Sequence, residues 1–400
     1  MKALIHLKSG SMTPLTQSTN TRDVLGIANY VLGIDIGGQS IKPALYTVLN
    51  GKIAEDEDWK PAKDPATHLG FAEHIKQITD IIAKANAEAQ KLGGQLVAVG
   101  IGSPGRFRAD GTIKPGTNDN LSKMRDEFDE KNLLKEYAKA LADRFPELAG
   151  LPLTVDNDGK AMLTGMVVDI VHGPHEPLHD QHGNEIGTST LRNKRVAVMG
   201  IGTGVGHAIA DVTGKGQLDF ITDGHACKLC VPVDEADWPM VEKAAKRLNT
   251  AEKPEVIAFP DHTVRAEDLF RDPVLKALAG VNNAKDIDWE TNQAHAKVVQ
   301  FAGKYMGRLL AMINSGQSTD VDPKNGWDDT DKAEAAKTEY YLIGGGVGDK
   351  PLGAEMIRYA QVELQRQDVR AVKMVQYTRE NPAPRAAAMT VPSDILTAGG

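Results

Sequence analysis

Short apolar runs that end in glycines alternate, along most of this chain, with longer stretches whose apolar residues recur at helical spacing. Residues 31–35 form the first such run, residues 41–48 read as its hairpin partner, and Asn50-Gly51 supplies a turn signal. Between residues 71 and 91, Ile75, Ile78, Ile81 and Ile82 mark one face of a helix. Residues 95–101 are rich in strand formers and run into Gly-Ser-Pro-Gly; 133–145 is an amphipathic helix, 153–155 a strand and 158–170 a helix. Strands are expected at 195–200, 208–210 and 340–343, and helices at 235–248, 264–279, 293–313, 354–367 and 383–389. Strands and helices alternate in both halves of the chain, which predicts an α/β protein.

Three stretches break this rhythm. Residues 1–29 are rich in Ser, Thr and Asn and read as an N-terminal extension. Residues 171–195 are polar and His-rich, and residues 315–338 are rich in Asp and Lys; both read as surface insertions, the first as a flap or a plain loop. His172, His175, His179 and His182 lie in the first insertion at spacings that fit no standard metal site.

The chain has 400 residues, more than one ordinary core takes up, which suits two packed lobes. The formal net charge of -8 argues against a broad nucleic-acid surface. It leaves nucleotides open, because phosphate sites rely on local backbone dipoles and bound metal. No segment approaches the roughly 20 apolar residues that span a bilayer. The two cysteines, Cys227 and Cys230, cannot form a disulfide framework. We therefore expect a cytoplasmic protein without a membrane partner.

Four segments carry candidate chemistry. In the first, an apolar strand delivers Asp35 and then Gly37, Gly38 and Gln39, with Lys42 close behind. Glycine lets backbone N–H groups approach a phosphate, and an aspartate can hold Mg²⁺ through water. The second is Gly202-Thr203-Gly204, again between two apolar strands. A dinucleotide-binding loop would open a helix instead, and the Walker Gly-Lys-Ser/Thr ending is absent. Two phosphate-type hairpins in two halves predict a nucleotide clamped between related lobes. The third is Asp156-Asn157-Asp158, at a strand end where a helix begins. One of these residues could serve as the helix N-cap, while a carboxylate here could accept the proton of a sugar hydroxyl. The fourth is Gly344-Gly345-Gly346, where a buried strand meets a turn that a flat adenine ring could cross; an ordinary strand–helix turn is the plain alternative.

These segments, in this order, resemble the ROK family of bacterial sugar kinases, over about residues 30–390. Ser103-Pro104-Gly105, Asn120-Leu121 and Asn157-Asp158 are similar to its sugar-site and catalytic motifs. The resemblance implies two ribonuclease-H-like lobes in an actin/hexokinase-type fold with a cleft between them: residues 30–156, then 157–400, the final helix packing back on the first lobe. It implies ATP and Mg²⁺ as ligands, a hexose or related sugar as acceptor, and a homodimer. It makes Asp158 the catalytic base and Asp35 the support for Mg²⁺. Ser103, Gly105, Asn120, Asn157, Asp158, Asp223 and His225 would meet the sugar. Gly37, Gly38, Gln39, Lys42, Gly202, Thr203, Gly204, Gly344, Gly345 and Gly346 would meet the nucleotide.

The chain also departs from that pattern. Thr222 stands where the family carries a Glu, so Asp223 is the acidic residue left before His225. The family's zinc motif is reduced to His225, Cys227 and Cys230, three ligands without a clear fourth; two small core thiols are the alternative. The Glu that ends that motif is matched at best by Glu235. Arg106 and Arg108 follow the Pro-Gly turn, where they could meet a phosphate chain. Two other functions fit the same residues: a sugar sensor without catalysis, and a kinase that uses polyphosphate.

Overall fold

The computed structural model describes residues 28–37, 40–49, 52–54, 57–61, 64–65, 70–108, 110–115, 127–172, 176–187, 189–223, 226–250, 256–321, 326–369, 371–379 and 383–391. Gly38, Gln39, Asn50, Gly51, Asn120, Leu121, His175 and His225 lie outside the described residues, as do residues 1–27 of the N-terminal extension.

The first sheet is built from β1 (Ala28–Ile36), β2 (Ser40–Leu49), β3 (Lys52–Ile53), β4 (Asp64–Pro65), β5 (Gly94–Ser103) and β6 (Leu153–Asn157), with α1 (Phe71–Lys91) and α2 (Leu133–Arg144) between its strands. Its order is β3-β2-β1-β5-β6, with β4 on the end of β2. β1 and β2 are antiparallel, while β1, β5 and β6 run parallel. β1 reads as an unbroken apolar run because both its faces are covered. Tyr30, Leu32 and Ile34 pack with Ile78, Ile82 and Tyr137 from the helices, and Val31 packs on the opposite side with Ala388 and Val391.

The second half follows in chain order as α3 (Asp158–His172), β7 (Leu178–His179), β8 (Glu185–Ile186), β9 (Lys194–Ile201), β10 (Val205–Val212), β11 (Leu218–Asp223), β12 (Leu229–Pro232) and α4 (Trp238–Leu248). Then come β13 (Thr263–Arg265), α5 (Glu267–Phe270), α6 (Asp272–Ala279), α7 (Gln293–Asn314), β14 (Thr319–Asp320) and α8 (Asp329–Ala335). The chain closes with β15 (Tyr340–Gly344), α9 (Gly345–Gly348), α10 (Pro351–Arg366), β16 (Lys373–Gln376) and α11 (Ala383–Met389).

The second sheet, β11-β10-β9-β15-β16, repeats the plan of the first: an antiparallel hairpin followed by two parallel strands. β9 alternates its apolar residues between two cores. Val196 and Val198 pack with Met166 and Val167 of α3, and Ala197, Met199 and Ile201 with α7 and α10 residues such as Met306 and Met356.

Three expectations change. The pattern at 264–279 is not one helix. Arg271 is extended (φ -72°, ψ 157°) and Pro273 opens α6, so the chain bends between α5 and α6. The insertion at 315–338 is more than a solvated loop: Asp320 and Trp327 are buried, and Asp328 and Asp331 form a capping box at α8. The His-rich insertion does not act as a cleft flap, because its β7–β8 hairpin docks on the edge of the second sheet. Gln181 donates its backbone N–H to Met374 O (3.0 Å), accepts from Met374 N at Oε1 (2.6 Å) and donates through Nε2 to Val372 O (3.0 Å). A side-chain amide thereby covers the polar edge of β16. We expect Gln181→Ala to cost about 1–2 kcal/mol, the worth of one or two hydrogen bonds. A denaturant melt should show that loss while kcat/KM stays at the wild-type level.

Candidate functional site

Each sheet delivers a glycine hairpin loop to a common cavity. At the end of β1, Gly37 N–H donates to Ser40 O (2.9 Å), which closes the first turn. At the end of β9, Gly202 N–H donates to Gly204 O (2.9 Å), which closes the second. Asp35 and Lys42 are cross-strand partners in the β1–β2 register, and their side chains form an ion pair at 2.7 Å.

Asp158 opens α3 directly after β6 and lies between these loops. Asn157 sets its position. The Asn157 Nδ2 group donates to Gly105 O (2.7 Å), and its Oδ1 accepts from Gly159 N (2.9 Å) and Lys160 N (3.3 Å). Asn157 is therefore the residue that caps α3, and it ties the helix start to the turn after β5. Gly159 lets α3 sit against β10, since a Cβ there would lie 2.7 Å from His207 O.

The Asp158 residue is half-buried, but its carboxyl group lies low enough in the cleft to lose much of its hydration. That burial, and then the nearby Asp35 charge, pushes its pKa up to about 7; the Gly159 N–H and Lys42 pull the other way.

The cavity has a volume of about 380 Å³. It gathers Asp35, Gly37, Lys42, Gly105, Asn157, Asp158, Gly202, Thr203, Gly204, Gly345 and Gly346 from five separated stretches of sequence. Ser103 and Gly344 are buried next to lining residues without lining the cavity. Asp223 ends β11, and Thr222 is buried opposite Ile209 of β10.

Several lining residues were not singled out by the sequence reading: Met162, His207, Lys228, Glu267, Asp272 and Val347. His207 is fully buried, with its ring near Trp327 and Tyr341. Glu267 and Asp272 flank the bend between α5 and α6, and the Asp272-Pro273 pair was the available signal for that bend. Arg106 lines the cavity, whereas Arg108 pairs with the exposed Glu130.

The glycines show that the cavity suits a nucleotide. Gly345 has φ +86°, and a Cβ there would lie 2.7 Å from Ile201 O, so the β15 turn presses on β9 backbone. On Gly202 and Gly346, in contrast, a Cβ would meet nothing within 4 Å, so both face open cavity. Phosphates can approach the first and a flat base the second, without an intervening side chain. The acidic groups also suit Mg²⁺, which takes one or two carboxylates and completes its shell with water and phosphate. The Asp35 charge reaches Asp158 across the cavity. Cys227 lines the cavity and Cys230 does not; both are buried and neither is in a disulfide, and among the described residues no group of three His, Cys, Asp or Glu side chains could hold a metal ion. No helix among the described residues is long and apolar enough to cross a membrane.

No family model matches the chain, and no curated protein matches it in sequence. Solved structures do match in fold. A glucokinase from Balamuthia mandrillaris in complex with glucose is 16% identical, with a TM-score of 0.59, over 91% of this chain and 93% of that one. A ROK family protein from Streptococcus pneumoniae TIGR4 in complex with sucrose is 14% identical, with a TM-score of 0.50, over 92% and 98%. A ROK family transcriptional regulator, a homologue of the E. coli Mlc protein, is 14% identical, with a TM-score of 0.51, over 92% of this chain and 78% of that one. The chain thus has the two-lobed α/β fold shared by ROK sugar kinases and ROK regulators.

Proposed function

We propose that this protein is a sugar kinase that transfers the γ-phosphoryl group of ATP to a hydroxyl of a hexose or related sugar. One observation carries the reading. Asp158 lies in a cavity between two glycine hairpins contributed by the two repeated sheets, next to the Asp35–Lys42 pair. A sensor needs no such carboxylate with its pKa near neutrality; a general base does.

In this reading the two glycine hairpins hold the phosphates; the Gly37 and Gly202 N–H groups close the turns, so other backbone N–H groups of the hairpins meet the phosphates. The sugar lies over Gly105 and Asp158. Asp158 accepts the proton of the attacking hydroxyl, the hydroxyl oxygen bonds to the γ-phosphorus, and the bond to the ADP oxygen breaks. The proton then leaves Asp158 for solvent. Asp35 would hold Mg²⁺ through water, and the metal supplies charge neutralisation at the phosphates. Lys42 keeps Asp35 in place and adds positive charge beside the transferred group. Asn157 acts on the reaction by fixing the start of α3, since its amide is already engaged with Gly105 and the helix backbone.

The test is ADP release with ATP, Mg²⁺ and a panel of hexoses, N-acetylhexosamines and related sugars. Turnover with at least one of them is expected. Sugar binding by calorimetry without turnover from ATP or polyphosphate would sink the kinase reading and favour a non-catalytic sensor or regulator; one protein of the same fold is a transcriptional regulator.

A further inference from the structure

Two carboxylates on the cavity wall have no part in the mechanism above. Glu267 and Asp272 come from α5 and α6, in the wall built on the second sheet. Asp272 N–H donates to Gly202 O (2.8 Å), so this acid is anchored directly to the second glycine loop. Both carboxylates are held in place. Asp272 pairs with Lys276 at 2.6 Å, and Glu267, 8% exposed, pairs with Arg265 at 3.1 Å. Behind Glu267, Asp268 ties Arg265 (2.7 Å) and Arg271 (3.1 Å) into the same buried network.

A paired carboxylate retains acceptor capacity but offers no hydrogen to donate. A phosphate chain is likewise all acceptor. A donor that continued as phosphate past Gly202 would set oxygen against oxygen at Glu267 and Asp272. A donor that continued as a nucleoside would bring hydroxyl groups, which donate. The open face of Gly346 lies in the same cavity and leaves room for a flat base.

We propose that Glu267 and Asp272 select the phosphoryl donor: they accept hydrogen bonds from the nucleoside part of ATP and turn away bare polyphosphate. The proposal rests on the kinase reading for the identity of the reaction, and it concerns the donor rather than the acceptor.

The experiment compares ATP with inorganic tripolyphosphate in wild type, Glu267→Gln and Asp272→Asn. Wild type should favour ATP. Each variant should lower the ATP-to-tripolyphosphate ratio of kcat/KM by about 10-fold, the effect of one lost hydrogen bond at a polar site. The amide that replaces each acid can itself donate to phosphate, so part of the change should be a gain with tripolyphosphate. A ratio that stays within about twofold of wild type in both variants, with thermal melts unchanged, overturns the proposal while leaving the kinase intact. Calorimetry with ADP and with pyrophosphate reads the same selection with no acceptor sugar present. A protein that turns over no sugar yet prefers ADP, and loses that preference in Glu267→Gln, keeps the donor proposal and discards the kinase. Equal affinity for the two ligands in wild type, or affinity for neither, overturns it.

Discussion

Asp158→Asn should lower kcat roughly 100- to 10,000-fold, the range over which a positioned base accelerates proton transfer. The substitution keeps the size and shape of the side chain and removes only its ability to take a proton. Asn157 holds the start of α3 through Gly105 and the helix backbone, so the geometry should survive. KM for ATP should therefore stay close to wild type, because the glycine hairpins and Lys42 are untouched. A variant with full kcat would remove Asp158 from the mechanism.

The pH dependence follows from the same residue, whose pKa is pushed up to about 7 by burial and by Asp35. The base works when ionised, so kcat/KM should rise as pH increases through about 7 and level off above it. Stability runs the other way. The carboxyl ionises near 3.8 in the unfolded chain and near 7 in the fold, so the folded state holds the proton more tightly. Folding thus loses stability as pH rises between these values, and the cost is complete above the upper one. Asn carries no such cost. At pH near 8 the Asp158→Asn protein should melt no lower than wild type while its turnover collapses, a pairing that misfolding cannot produce.

How far the sequence revealed this site depends on how local each signal is. Gly37 and Gly202 are legible because a hairpin loop after an apolar strand is a property of about ten contiguous residues. Asp158 is legible because strand end, cap and helix start are adjacent at 153–158. Glu267 and Asp272 on the cavity wall were hidden for the opposite reason. Apolar positions at 264–279 keep a helical rhythm across α5 and α6, and only the Arg271 backbone and Pro273 break it. β16 is four residues long and cannot display a period, yet it completes the second sheet. Composition misled where polar residues carry tertiary roles: Gln181 seals a sheet edge, and Asp320 and Trp327 are buried inside an apparently solvated stretch. The two hairpins, with Gly37 and Gly202 lying 165 positions apart, could be paired from their similar strand–loop–strand order, but the duplicated sheets that seat them leave no repeat in the sequence itself.

Glycine substitutions should separate the fold from the site. Gly100 of β5 faces α11, and a Cβ there would lie 1.7 Å from Ala387 O and 2.5 Å from Ala387 C. Gly33 of β1 is as tight, 1.8 Å from Pro384 O. Backbone atoms cannot swing aside as a side-chain tip can, so α11 must lift away from the first sheet. That movement would uncover Val31, Ala98 and Ala388, which pack together there. Gly100→Ala should cost about 3 kcal/mol, at the upper end for overpacking, and more if α11 leaves its seat. Thermal melting should report the loss, and limited proteolysis should cut near residue 383 in the variant before it cuts wild type. Gly202→Ala is the counterpart. Its Cβ would meet nothing within 4 Å, so the melt should hardly move. The new methyl would instead stand in the space assigned to phosphate, and KM for ATP should rise about 10-fold or more as the phosphate is pushed off the hairpin. If Gly202→Ala binds ATP as wild type does, the phosphates lie elsewhere in the cleft. If Gly100→Ala melts like wild type, α11 is not seated against β5 as described.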